Sequence, residues 1–321
     1  MSQKLIYEIA GHQLLINTPN AGVTVGLIPS FAPFRVNSEG EGNVLFQLWG
    51  SREVAIPSRA PDDTMEVDGA TFELFHVKGS VTVLMRENKA QAKTNSKSDN
   101  KSDSITVKNS DNKCINKSNN KREHCFSISA DRRTVITDIT LVEPYESQFL
   151  AYFLRAAFGM AGAHHNTIKM HASVIEREGK ALVFMGKSGT GKSTHSRLWQ
   201  EFVPGCQLLN DDEPIVRLLN DGSVMVYGAP WSGSTPCYKN ASAQVAAFVR
   251  LYQSPENKLS KLKGVHSFAS LFESVAILRS DQENRELIST TIGHILEQVP
   301  VYRLDNRPNR EAVALTETLM A

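Results

Sequence analysis

Cysteine is scarce in this chain of 321 residues: there are four, Cys114, Cys125, Cys206 and Cys237, with no Cys-x-x-Cys spacing. That density is too low for a disulfide framework, so structural free thiols in a reducing compartment are expected. An excess of either charge is also missing, with 35 basic against 34 acidic residues. Without it there is no electrostatic case for nucleic acid or an anionic membrane as the main partner. Long apolar runs are lacking too. The most apolar stretch, Phe149 to Ala163, is interrupted by Arg155 and is too short to span a bilayer, which makes it a buried or half-buried helix. The first residues, Met1-Ser-Gln-Lys-Leu-Ile-Tyr-Glu, have neither the apolar core nor the small-residue cleavage site of a signal peptide. A cytoplasmic protein is the resulting expectation.

What is present is a hydrophobic fraction of 41%, enough over this length to bury full cores and to divide into two domains. From Lys4 to about Leu84, short apolar runs alternate with turn residues, as in Leu5-Ile-Tyr-Glu-Ile, Gly11-His12 and Leu14-Leu-Ile. This predicts a β-rich domain over residues 1–146. Asp68-Gly69 is a second hairpin signal, because both residues tolerate the positive φ of a tight turn. Residues 88–122 form a tract of Asn, Lys, Ser and Asp, too polar to repay the entropy of ordering, and are expected as a disordered insertion. Strand patterns resume at Phe126 and Thr134. A connecting helix over 147–165 follows, with Phe149, Phe153, Ala156, Ala157 and Met160 on one face. His164 and His165 complement the negative end of its dipole.

The second domain, 166–321, carries the chemistry. Ser173-Val-Ile-Glu and Ala181-Leu-Val-Phe-Met flank Arg177-Glu-Gly-Lys as a hairpin whose second strand ends at Gly186. There the chain reads Gly186-Lys187-Ser188-Gly189-Thr190-Gly191-Lys192-Ser193-Thr194, followed by Leu198, Trp199 and Phe202 at helical spacing. A strand, then G-x-x-x-x-G-K-[ST], then a helix is the arrangement that cradles nucleotide phosphates. Glycines let successive backbone N–H groups face the phosphates, and the helix N-terminus adds partial positive charge. Lys192 reaches the β and γ oxygens, and Ser193 can ligate magnesium. Such a loop also needs a carboxylate at a strand end to hold the metal, and Asp211-Asp212 follows Leu208-Leu209-Asn210. One acid can fix the metal while the other accepts a hydroxyl proton; a plain acidic turn before Pro214 is the alternative. His171, ahead of the hairpin, can ligate a metal or relay a proton to an Asp, or be a satisfied core residue. The Gly228–Pro236 loop either closes over a transferred group or is a rigid crossover. Arg217, Arg250 and Arg279 are available for transition-state charge, or are ordinary strand and helix residues.

The run Met170-His-Ala-Ser, Gly186-Lys-Ser-Gly-Thr-Gly-Lys-Ser-Thr and Leu209-Asn-Asp-Asp-Glu resembles the kinase core shared by HPr kinase/phosphorylase and ATP-dependent phosphoenolpyruvate carboxykinase. The resemblance covers roughly residues 165–250 firmly and the remainder of the second domain loosely. It implies a mixed α/β (α+β) phosphate-loop core beside the β-rich domain. It also implies a metal site with Ser193, Asp212 and His171, catalytic roles for Asp211, Asp212, Lys192 and His171, and ATP with Mg2+ or Mn2+. The carboxykinases' oxaloacetate-binding arginines have no counterpart here, and Gly228–Pro236 stands where HPr kinases carry a Gly-rich signature. The smaller relatives that phosphorylate a serine hydroxyl on a peptide, a protein or a free amino acid are nearer, and they allow a homo-oligomer. The rival expectations are a non-catalytic module that responds to nucleotide and a carboxykinase-like lyase.

Overall fold

Alternation of buried and exposed residues along Gln3–Ile9, and the tight turn at Ala10-Gly11 (φ 53° and 72°), fold the N-terminus into a hairpin. It belongs to a computed structural model that describes residues 2–40, 44–67, 69–88, 122–233, 235–276 and 280–320. The insertion expected at 88–122 lies outside the described residues except for its two ends, and so do Asp68, Cys114 and Arg279. The first nine strands are β1 (Gln3–Ile9), β2 (His12–Thr18), β3 (Arg35–Val36), β4 (Val44–Trp49), β5 (Asp63–Val67), β6 (Ala70–Val77), β7 (Ser80–Glu87), β8 (Glu123–Ile128) and β9 (Thr134–Thr137). They form one sheet in the order β3-β1-β2-β4-β9-β8-β7-β6-β5. β4 runs parallel to both β2 and β9, and the other pairs are antiparallel.

Two helices cover this sheet, the short α1 (Ala21–Leu27) and the long α2 (Ser147–Ala163). The buried face of α2 is wider than the single stripe expected, because Leu150, Leu154 and Phe158 are as buried as Phe149, Phe153 and Met160. The cause is packing on two sides: α2 fills the core of the first sheet and also meets Ile215, Ala229 and Trp231 from the second half. The start of α2 is pinned by the buried Glu146, whose carboxylate accepts from the N–H groups of Thr140, Val142 and Glu143. No described helix is long and apolar enough to cross a membrane.

The second sheet collects β10 (Thr167–Lys169), β11 (Ala172–Arg177), β12 (Lys180–Met185), β13 (Gln207–Asp212), β14 (Ile215–Leu218), β15 (Val224–Tyr227), β16 (Ser242–Gln253), β17 (Lys258–Lys261) and β18 (Val301–Asn306). Its main path is β10-β14-β15-β16-β12-β11-β13, and β18 lies parallel to the far end of β16 and carries β17. The hairpin β11–β12 is antiparallel, but β12 runs parallel to β16, so the sheet is mixed. Helices α3 (Lys192–Phe202) and α6 (Arg310–Glu317) cover one face, and α4 (Val265–Phe272) and α5 (Gln282–Gln298) the other. This explains the unbroken apolar run Ala181–Met185: Val183 and Met185 face α5 while Leu182 and Phe184 face α3. The acidic strand β13 pairs with β11, one strand further from the phosphate-loop strand than adjacency would place it. The chain is thus a mixed α/β protein with two mixed sheets.

Candidate active site

The loop Gly186–Gly191 leaves the C-terminal end of β12 and enters α3. Gly186 sits at φ 151°, and a Cβ there would lie 2.6 Å from Thr190 Oγ1, so only glycine fits without displacement. Gly189 and Gly191 follow at φ 80° and 97°, the latter as the residue that starts α3. Thr190 closes the loop internally, its N–H and hydroxyl both donating to the Lys187 carbonyl at 3.2 and 2.9 Å. Gln253 from β16 braces it by donating to the Gly189 carbonyl. Helix α3 is anchored at its far side, where Trp199 Nε1 donates to Thr316 of α6 and Ser196 meets Ser173 of β11. The helix N-terminus therefore points its free N–H groups at a fixed place.

Around that place the side chains fall into two pairs and a bridge. Ser193 Oγ donates to Asp211 Oδ1 at 3.0 Å. His171 Nδ1 is 3.1 Å from Asp212 Oδ1, and His171 Nε2 is 2.9 Å from Lys192 Nζ. An ammonium has only donors, so Nε2 accepts and the proton lies on Nδ1, facing the carboxylate. The result is a continuous chain Lys192–His171–Asp212. Lys192 also donates to the Gly186 carbonyl at 3.0 Å and is 8% exposed. Burial pulls its pKa below the usual lysine value, opposed by Asp212 and Asp211. A cavity of about 320 Å³ has all five of these side chains in its wall, with Ser188, Gly189, Gly191, Thr194 and Gly233.

Asp212 carries backbone strain. Its φ of 115° is rare for a residue with a Cβ, and a position of that kind costs on the order of 1–3 kcal/mol. The sheet register holds it there, since Ala172 pairs with Asp212 and Ser173 with Asp211. The Gly228–Pro236 loop holds it from the other side: Gly233 N–H donates to the Asp211 carbonyl at 2.9 Å, and the Ser232 hydroxyl lies 3.0 Å from the same oxygen while reaching the Thr235 carbonyl at 2.6 Å. A Cβ on Gly233 would lie 3.1 Å from the Asp212 Cβ. Trp231 Nε1 donates to the Glu213 carbonyl, and Asn210 Nδ2 to the Trp231 carbonyl. Trp231 and Gly233 belong to the loop whose role the sequence left open, and with Asn210 they brace the acidic pair.

The structure brings His171, Lys192, Ser193, Asp211 and Asp212 together, with Lys187 and Thr190 shaping the loop behind them. It joins Ser193 to Asp211, whereas the metal set expected from the resemblance paired Ser193 with Asp212. Among the described residues no three His, Cys, Asp or Glu side chains form a cluster able to hold a metal by themselves. Arg217 and Arg250 are elsewhere. Arg217 donates to the Ala10 carbonyl across the two sheets, and the buried Arg250 donates to Ser270 O and Glu273.

No protein-family model matches the chain, and no curated protein sequence matches it. One solved structure similar to it is the Hpr(Ser) kinase/phosphatase from Coxiella burnetii. The match covers 47% of this chain and 87% of that one at 15% identity, with a TM-score of 0.29. The site stands on its own geometry: a glycine loop on a helix N-terminus, with a lysine, a hydroxyl and two carboxylates converging on one cavity.

Proposed function

We propose that the chain is an ATP-dependent phosphotransferase that moves the γ-phosphoryl group to a hydroxyl, that of serine in a peptide, a protein or the free amino acid. The observation that supports it most is the split of the acidic pair, Asp211 on Ser193 and Asp212 on His171. Those two placements correspond to the two carboxylate tasks of phosphoryl transfer.

The loop's N–H groups and the start of α3 receive the phosphates, and Lys192 turns from the Gly186 carbonyl toward their oxygens. Ser193 and Asp211 would hold a magnesium ion, which would supply neutralisation of the phosphate charge. Asp212 accepts the acceptor's hydroxyl proton as its oxygen bonds to the γ-phosphorus and the bond to the leaving diphosphate breaks. His171, donating through Nδ1, keeps Asp212 aimed. The strained φ of Asp212 and the close approach of Gly233 fix that aim further.

The test is phosphate transfer from ATP with magnesium to free serine, to serine-containing peptides and, as a control for lyase chemistry, consumption with oxaloacetate. Acceptor-dependent turnover that falls by on the order of 10²–10³-fold in Lys192→Ala supports the proposal. Full turnover in that variant, or ATP binding with no turnover on any acceptor, removes it.

A further inference from the structure

A second cavity, of about 240 Å³, lies between the first sheet and the helices α2 and α5 and shares no lining residue with the phosphate-loop cavity. Met65, Phe72, Tyr152 and Ile288 give it apolar walls, while Arg155 of α2, Lys169 of β10 and Glu213 bring charge into it. Arg155 grips Glu213 through both carboxylate oxygens, at 2.6 and 2.5 Å. Lys169 reaches the same carboxylate only at 3.5 Å, and both Lys169 and Glu213 have side chains 7% exposed. Within the cavity wall two cations face one carboxylate, with Asp212 acting on both cations from outside it, and Lys169, whose hold on Glu213 is long, can donate to an anion as well.

Two further observations mark the cavity as built for a ligand. Lys169 crosses α2 at Gly159, where a Cβ would lie 2.9 Å from Lys169 Cε, so the helix is notched to admit the lysine stem. Asn284, 3% exposed and in the cavity wall, has an Oδ1 with no hydrogen-bond partner among the described residues. A buried amide oxygen left bare is costly and invites an N–H or O–H donor. We propose that this cavity binds a small carboxylic acid with an apolar body: its carboxylate on Lys169, its body against Met65, Phe72 and Tyr152, and a donor on Asn284. The volume is below the roughly 300–1,000 Å³ of sites for drug-sized molecules, which restricts the ligand to a small one. Its lining residues are not those of the proposed nucleotide site, so it stands whether or not the chain transfers phosphate.

Calorimetric titration of the full chain with N-acetyl-leucine, which carries a carboxylate, an N–H and an apolar side chain, tests this against N-acetyl-leucinamide, which lacks the charge. The acid is expected to bind on the order of tenfold or more tighter than the amide, and Lys169→Met to erase that preference. Ala156→Leu fills the cavity from α2 without touching the ion cluster and is expected to abolish binding while the melting temperature is kept. This variant carries the test if Lys169→Met fails to fold. Equal affinity for acid and amide, binding that survives Ala156→Leu, or no binding of the acid up to ~10 mM overturns the proposal.

Discussion

Lys192 and the two aspartates have different expected signatures when changed singly. Asp212→Asn removes the proposed proton acceptor and is expected to lower turnover by on the order of 10²–10⁴-fold, with ATP binding little affected. Asp211→Asn acts on the metal side and is expected to raise the magnesium concentration needed for half-maximal turnover. Steady-state kinetics across a magnesium series separates the two, and equal small losses in both variants would contradict the assignment. Gly233→Ala tests the positioning of Asp212: a methyl group 3.1 Å from its Cβ should cost turnover without removing any reacting group. Legibility differed at this scale. Gly186–Ser193 and Asp211-Asp212 could be read because the chemistry is written in consecutive residues. Lys169 could not, and for Gly233 and Trp231 only their loop was flagged, because the roles of all three arise where distant segments approach. In the sequence Arg155 only interrupts the most apolar stretch, and the fold alone shows its partner, Glu213.

Among elements, the segment that enters α2 is held by one buried carboxylate. Glu146 satisfies three backbone donors of the segment leading into the helix, and Glu146→Ala would leave them bare, a loss on the order of 2–4 kcal/mol. Denaturant unfolding measures it, and a change under 1 kcal/mol (about a fivefold shift in the folding equilibrium) would show that water replaces the carboxylate. Hairpins such as β1–β2, β11–β12 and β14–β15 were legible because Gly11, Gly179 and Gly222 make turns that act locally, each at positive φ. The parallel pairings β2 with β4, β4 with β9 and β12 with β16 were not, since no local residue encodes which distant strand is the neighbour. β17, with Lys at both ends of Lys258–Lys261, lacks the apolar alternation that marks a strand and exists through its pairing with β18.

Over the whole molecule, the two sheets are joined by buried polar contacts as well as by α2. His12 of β2 bonds Thr167 of β10 at 2.8 Å, and Arg132 meets Asp281 at 3.4 Å with both side chains 3% exposed. Burial, with Arg217 and His165 nearby, pushes the His12 pKa down to about 3, and burial alone takes His195 to about 4. In the unfolded chain both would titrate near 6.5. Above that pH neither state binds the proton. As pH falls below it, the unfolded chain takes up protons that the folded chain refuses, so stability drops toward pH 4 by up to about 1.4 kcal/mol per pH unit for each histidine. Unfolding free energies from pH 7 to 4.5 should show this slope, and His12→Asn should reduce it. An unchanged slope in the variant would mean that His12 is protonated in the folded protein.

The account rests on the phosphate loop receiving a nucleotide, and calorimetric titration with ATP, with and without magnesium, tests that directly when run beside Lys192→Ala. One ATP bound per chain, more tightly with magnesium and at least on the order of tenfold more weakly in the variant, is the predicted result. No binding, or the same affinity in both proteins, would contradict it.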